Sequence, residues 1–483
     1  METKDQFVPK KDYDALEQKY EMLAWELREL KRMIFGSKSE KHTFIPPGQG
    51  SLFEIPADEK PLVKQEITYE RTKVTAEKQK PVRTPLPAHL PRVEEVIEPE
   101  HIPANAKFIG DEVSESLEYE PPKIYVRRIV RRKYGLQTDG VLLAPMQSMP
   151  IPFSNAGASM LAYLIVSKFV DHLPFYRIVK MFARSDVSLA ESTISGWFSK
   201  TCDLLEPLYE AMKKELLAQS YLMADETPIK VLDQLKKRST HRGYYWVYYA
   251  PEPRLVIFDY QHGRGSEGPG TFLDKYIGIL QTDGYGVYDS FTKGKSNIIH
   301  AGCMAHVRRK FFEAKEQDPV RTENALRLIG ALYMMEEFSR EKNHRPDEVR
   351  LQRQSALKVF KEWKQWLDTE IIKVLPQSLI GKAMAYALNQ WSKLLVYIDH
   401  PHMQIDNNLI ENSIRPVAIG RKNYLFAGSH DAARKAAMIY SFMGTCKLNN
   451  VEPFAWLKQV LTVINETKKS ELYKLFPGNL EIK

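Results

Sequence analysis

A multidomain α/β protein built around a mixed sheet is the fold class this sequence predicts, on three observations. Short β-branched and aromatic runs alternate with helical patterns from residue 221 to about 301, as in an α/β core. A long block, about 320–402, carries only helical periodicity. Ahead of both, prolines recur from Pro46 to Pro122 and break regular structure. At 483 residues with 43% hydrophobic side chains, the chain supports about two to four domains.

Taken in order, residues 10–36 form the first element. Tyr13, Leu16, Tyr20, Leu23, Leu27, Leu30 and Ile34 are spaced alternately by three and four, which lays one stripe along a helix. Such a stripe serves a short coiled coil or a helix docked on the body. The two tyrosines weaken a tight zipper because their hydroxyls need partners. Residues 37–87 read as a proline-rich linker.

Residues 88–150 form a small basic β region. Its sharpest segment, KIYVRRIVRRKYG, places Lys123, Arg127, Arg128, Arg131, Arg132 and Lys133 between β-prone residues. One face of such a ribbon packs on a small core while the other meets DNA phosphates, which give affinity more than sequence preference. A solvated, charge-protected edge strand fits the same pattern. Residues 154–218 are helical, with two further helices expected over 187–216. Ser192 followed by Ile194, Trp197 and Phe198 suits the second half of a helix-turn-helix, and an all-helical spacer suits it equally.

The core region is 219–442. YLMADETP reads as a strand ending at Asp225, YYWVYYA and RLVIFDY as a hairpin across the turn PEP, and GILQTD as a short strand ending at Asp283. NIIHAGCMAHVRRKFFEA reads as a strand running into a basic helix. The 320–402 block is too long for a loop and reads as a helical insertion. Beyond it, Asp406 or Asn407 caps a helix carrying Glu411, and residues 443–483 form a helical tail.

Asp225 and Asp283 at neighbouring strand ends would bring two carboxylates together, an arrangement whose repulsion calls for hydrogen bonds or cations. Glu411 either joins them or pairs with Arg415 one turn along its helix. Glu226 should face away from Asp225, because successive strand residues alternate sides. Asp289 is a secondary candidate.

Net charge is +8, which favours a polyanionic partner without specifying an activity. Cys202, Cys303 and Cys446 lie far apart with no CxxC pair, which argues against a disulfide framework or a thiolate zinc site. The first residues hold no apolar signal core, the initial Met reads as the chain start, and no apolar run reaches about eighteen residues, so a cytoplasmic, membrane-free setting is expected.

Several long motifs agree in order and spacing with one family: LRELKRMIFGSKSEK near the amino terminus, MADETPIKV and QTDGYGVYD in the core, AGCMAHVRRKF, and NNLIENSIRPVAIGRKNYLFAGS. On these the chain resembles the large transposase of the insertion-sequence-66 family, a DDE transposase with an RNase-H-like catalytic core. The resemblance implies that Asp225, Asp283 and Glu411 are the catalytic carboxylates and hold two Mg²⁺ ions, or Mn²⁺ in their place. It implies cleavage at transposon ends followed by strand transfer, with double-stranded terminal inverted repeats and target DNA as substrates.

A homo-oligomer that pairs two ends is expected, with accessory proteins from the same mobile element as further partners. Arg415, Arg421 and Lys422 are expected at phosphates, Tyr424 or Phe426 against a sugar or base, and His306 and Arg309 towards DNA, although His306 also suits a packed helix position. Related transposases often carry paired cysteines before the basic ribbon; 88–150 has none, so no zinc is expected. The competing functions are an RNase-H-like nuclease that cleaves without joining, and a transposase-derived DNA-binding regulator.

Overall fold

The computed structural model describes residues 124–127, 133–136, 140–143, 148–232 and 239–482, the backbone alone for 133–136 and 140–143. The stripe of 10–36, the linker of 37–87 and most of the basic region, Arg128, Arg131 and Arg132 included, lie outside the described residues. What is described of that region is exposed Arg127 and an antiparallel pair, β1 (Lys133–Leu136) with β2 (Gly140–Leu143), which takes in Lys133.

Three helices come next: α1 (Ala158–Phe169), α2 (Phe175–Ala183) and α3 (Glu191–Leu217). Where two helices are expected over 187–216, α3 runs unbroken through Pro207. Leu205, Leu208, Tyr209 and Met212 are buried on both sides of that proline, and their packing offsets its lost hydrogen bond.

The core is a five-stranded mixed sheet of β3 (Tyr221–Leu232), β4 (Thr240–Ala250), β5 (Leu255–Gln261), β6 (Gly278–Gln281) and β7 (Ile298–Ala301), in the order β5-β4-β3-β6-β7. β4 and β5 form the antiparallel hairpin; β6 and β7 run parallel to β3. A short helix, α4 (Glu267–Phe272), leads from β5 into β6, α5 (Gly286–Thr292) joins β6 to β7, and α6 (Met304–Glu313) follows β7. β3 does not stop at Asp225. It pairs with β4 through Leu232, because apolar Ile229 and Val231 keep the alternation going beyond the acidic pair.

β5 lies at one edge, and its outward amides are not left bare. Ser441 and Thr445 hydroxyls on α12 (His430–Leu448) accept from the amides of Phe258 at 2.8 Å and Val256 at 3.3 Å. Gly444 permits that approach, since a Cβ there would stand 2.7 Å from Val256 Cγ1. A covered edge removes the template for intermolecular pairing.

Between α6 and the helix bearing Glu411 the chain is helical: α7 (Pro319–Glu341), α8 (Pro346–Glu370), α9 (Leu379–Asn389) and α10 (Trp391–Leu395). Arg353 of α8 is its hub, 4% exposed. It bonds Glu336 of α7 through Nε at 2.8 Å and a terminal nitrogen at 2.7 Å, and its remaining donors reach the carbonyls of Tyr397, His400 and Met403 at 2.9 Å. The same stretch leads into α11 (Asn408–Tyr424), so the insertion anchors the start of that helix. α13 (Pro453–Val463) packs against α1, and the 3-10 turn Lys469–Leu475 that follows packs against α3. Among the described residues no helix is long and apolar enough to cross a membrane.

Candidate active site

Asp283 and Glu411 come within electrostatic reach of Asp225, the three arriving by separate routes. Asp225 sits inside β3, whose apolar first half, Tyr221–Ala224, is fully buried. Parallel pairing sets Met223 opposite Gln281, where β6 ends, so Asp283 lies in the loop just beyond the strand rather than at its end, and its charge reaches Asp225 from there. Asp283 then turns the chain: its carboxylate accepts the Tyr285 amide at 3.0 Å as α5 begins.

Glu411 arrives in the first turn of α11. That turn is held from three sides. The Asn407 side-chain amide donates to the Ala224 carbonyl at 3.4 Å, its backbone amide donates to Cys303 Sγ at 3.2 Å, and Asp406 accepts the Asn408 amide at 2.9 Å and the Tyr333 hydroxyl at 2.8 Å. Asp406 thus does the capping, while Asn407, at the N-cap position, fastens the helix to β3.

The electrostatics match this convergence. Burial pushes the Asp225 carboxyl well above the usual carboxylate range, and the charges of Glu226, Asp283 and Glu411 push the same way. Only the Glu226 amide, donating to Asp225 at 2.7 Å, opposes them. Glu411 Oε1 is buried and lacks a hydrogen bond. The Arg309 guanidinium lies 3.6 Å away and the His306 ring nitrogen 3.9 Å away, both beyond hydrogen-bonding reach, and the pair with Arg415 is not formed. Burial lowers the His306 pKa, and Arg309 adds to the effect against the pull of Asp283 and Glu411.

No three of the described His, Cys, Asp and Glu side chains stand at ligand spacing around one point. The chemistry of the donor set nonetheless fits hard divalent cations: three carboxylates in one neighbourhood, a buried Glu411 oxygen without a hydrogen bond, and an Asp225 whose charge is opposed by every adjacent acid. Cys303, buried with its thiol pushed up to about 12 by burial and bonded to the Asn407 amide, fits a packing role.

Residues 154–435 match the family described as Transposase IS66 family. The chain belongs to this family. Two other regions of the transposase match: 23–94 to Transposase C of IS166 homeodomain, and 441–477 to the IS66 C-terminal element. Among relatives, the uncharacterized protein y4qI of Sinorhizobium fredii is 31% identical over 94% of this chain and 88% of its own length. The uncharacterized protein y4jD of the same organism is 29% identical over 94% of this chain and 93% of its own length. No solved structure matches.

Other groups of the transposase fall into two sets. Arg309 is exposed beside Glu411, Arg415 is half-buried and Lys422 is exposed on α11. Arg421 instead turns inward to the Pro228 carbonyl, and burial lowers its pKa. Asp289 is taken up by Lys393 and by His300 at 3.2 Å.

Glu226 engages Arg264, whose Nε donates at 2.9 Å, and the Tyr288 hydroxyl at 3.2 Å, yet it stays in electrostatic reach of Asp225 and Asp283, so strand alternation does not remove it from the acidic neighbourhood. Arg264 also lies 4.0 Å over the Tyr285 ring. Sequence reasoning misses Arg264 and sees Asn407 only as a cap. The first sits in a glycine-rich loop with no periodicity; the doubled Asn of NNLIEN is the available signal for the tie that the second makes.

Gly284 is the tight point of the site. A Cβ there would stand 2.4 Å from the Tyr386 hydroxyl on α9. Gly284→Ala is expected to displace Tyr386 and shift Asp283, and a misplacement of about 1 Å costs up to about 10²-fold in rate. Comparing DNA cleavage rate with melting temperature checks this: a lowered rate at unchanged melting is expected, and an unchanged rate rejects the positioning role.

Proposed function

We propose that the chain is a DDE transposase that cleaves transposon ends and joins them to target DNA, with Asp225, Asp283 and Glu411 as its catalytic carboxylates. One observation carries the reading: a strand-borne aspartate, an aspartate in the loop just after β6 and a helix-borne glutamate, far apart in sequence, share an electrostatic neighbourhood. Support for an RNase-H-like core comes from the sheet order, with an antiparallel hairpin on one side of β3 and two parallel strands on the other.

Two divalent cations, Mg²⁺ or Mn²⁺, held by these three carboxylates would supply activation of the attacking oxygen and stabilisation of the leaving one. The chain's own groups do the rest. Asp225 presents its acidic oxygens from β3 and Asp283 from the loop after β6, Asn407 and Asp406 hold Glu411 in place, and Arg309 at the rim binds a phosphate of the entering strand. In the first reaction a water oxygen bonds to phosphorus at the element end and the 3′ oxygen leaves as a hydroxyl. In the second that hydroxyl attacks a target phosphodiester, again displacing a 3′ oxygen. Neither needs a covalent link to the protein.

The test is strand transfer with labelled element ends and a plasmid target in Mg²⁺ or Mn²⁺. Joined products are expected. Cleaved ends without joined products identify a nuclease instead, and binding without either reaction identifies a DNA-binding regulator.

A further inference from the structure

Helices α2 and α3 form a unit that the catalytic reading leaves unused. Leu164, Ile178, Phe182 and Ile194 make a small buried cluster apart from the main core, with Val187 and Leu189 of the connecting turn packed on it. The turn reverses at Asp186, whose φ of 57° is a left-handed conformation that Asp tolerates better than most residues. The Val187 amide then closes back on the Phe182 carbonyl at 3.1 Å. Two helices joined by residues 184–190 over a small apolar cluster, which α1 completes with Leu164, resemble a helix-turn-helix with a lengthened turn.

The surface of this unit is polarised. Arg177, Lys180 and Arg184 are spaced three and four apart on α2 and are all exposed, so they share one face. Arg177 and Lys180 flank the Tyr176 ring at 5.7 and 5.8 Å. On α3, Ser192, Ser195 and Lys200 are exposed, whereas further along the exposed residues turn acidic at Asp203, Glu206 and Glu210. Glu191 is the one acid in the first three turns. The part of α3 suited to a polyanion is therefore its amino-terminal part, the end with which reading helices contact bases. From Thr201 onward the same helix is buried in the main core, so anything bound at its start is held rigidly relative to the catalytic body.

We propose that α2 and α3 are a DNA-reading helix-turn-helix: the amino-terminal face of α3, with Ser192, Ser195 and Lys200, enters the major groove of the element's terminal repeat, while Arg177, Lys180 and Arg184 hold adjacent phosphates. This rests on the transposase reading, which supplies the repeat as ligand. Hydroxyls meet base-edge donors and acceptors, and the Lys200 ammonium suits the guanine acceptors. Gly196 lies on the same exposed stretch, and among the described residues no heavy atom comes within 4 Å of where its Cβ would stand. A larger residue therefore fits there without disturbing the fold, which makes Gly196 a clean place to block the groove.

The experiment is fluorescence anisotropy of the full chain, without divalent cations, on a labelled duplex from the element end and on a scrambled duplex of equal length. Wild type is expected to prefer the end at least about tenfold. Gly196→Glu should erase that preference without lowering the melting temperature, because Glu is the better helix former. Arg177→Ala, Lys180→Ala and Arg184→Ala combined should weaken both duplexes alike and reduce the slope of log affinity against log salt by roughly 2 to 3.

An undiminished preference in Gly196→Glu overturns the assignment of α3 and leaves the transposase reading standing. An unchanged salt slope in the triple variant overturns the phosphate role of α2. No preference in the wild type overturns end recognition by this chain, and the assignment of α3 with it.

Discussion

Asp225→Asn, Asp283→Asn and Glu411→Gln are each expected to abolish end cleavage and joining, with losses above about 10²-fold, the cost of removing one preorganised group from a transition state. Each change keeps side-chain size and removes one charge, so fold and duplex binding should survive. Gel-resolved cleavage and joining in Mg²⁺, alongside binding without it, make the measurement. Near-normal joining by any one variant rejects an essential role for that residue.

Asp225→Asn carries a second, opposite-signed expectation. In the folded chain the Asp225 carboxyl is held above its ordinary pKa, chiefly by burial. The folded state therefore keeps a proton that the unfolded state releases, and stability falls as pH rises above about 4, the unfolded value. Without divalent cations at neutral pH, Asp225→Asn should melt higher than wild type, and the difference should close as pH drops below about 4. Adding Mg²⁺ should raise the melting temperature of wild type and not of the variant, since a ligand stabilises only the state that binds it. Equal melting across pH would show that Asp225 bears no burial strain.

The largest stability effect is expected at Arg353. Its five guanidinium donors are all used, two on Glu336 and three on backbone carbonyls. Arg353→Met leaves Glu336 charged and buried, and breaking such a pair costs about 3–5 kcal/mol. Pairing it with Glu336→Leu should restore only part of this, because the carbonyls of Tyr397, His400 and Met403 still lose their guanidinium donors. Equilibrium urea denaturation reads both. Because that carbonyl segment leads into Asp406 and α11, the single variant should also cleave DNA more slowly under conditions where it is folded. A loss below about 1 kcal/mol would mean that water replaces the guanidinium and that the hub is not structural.

Much of the sheet is legible in the residues. YYWVYYA and RLVIFDY appear as the paired strands β4 and β5, because aromatic and β-branched runs broken by a proline turn carry their own geometry. β3 is harder: an acidic pair in mid-strand looks like a strand end, and only pairing with β4 shows that the ladder continues. Helix α3 shows the reverse difficulty, since Pro207 reads locally as a break and tertiary packing overrides it. In the site, the acidic residues are identifiable one by one. The Arg309 neighbour of Glu411 is not, since the local rule favours Arg415 one turn away and contact across helices leaves no periodic trace.

By itself, then, the sequence determined the strands, the helical block, the family and the three acidic candidates, all of which rest on local pattern or on long ordered motifs. Tertiary structure alone decided that the charge of Asp283 reaches Asp225, that Asn407 ties the helix of Glu411 to β3, and that Arg353 secures that helix from the insertion. The physical reason is range. Alternation and helical period act over a few residues, whereas register, burial and charge coupling arise only when distant segments share one buried space.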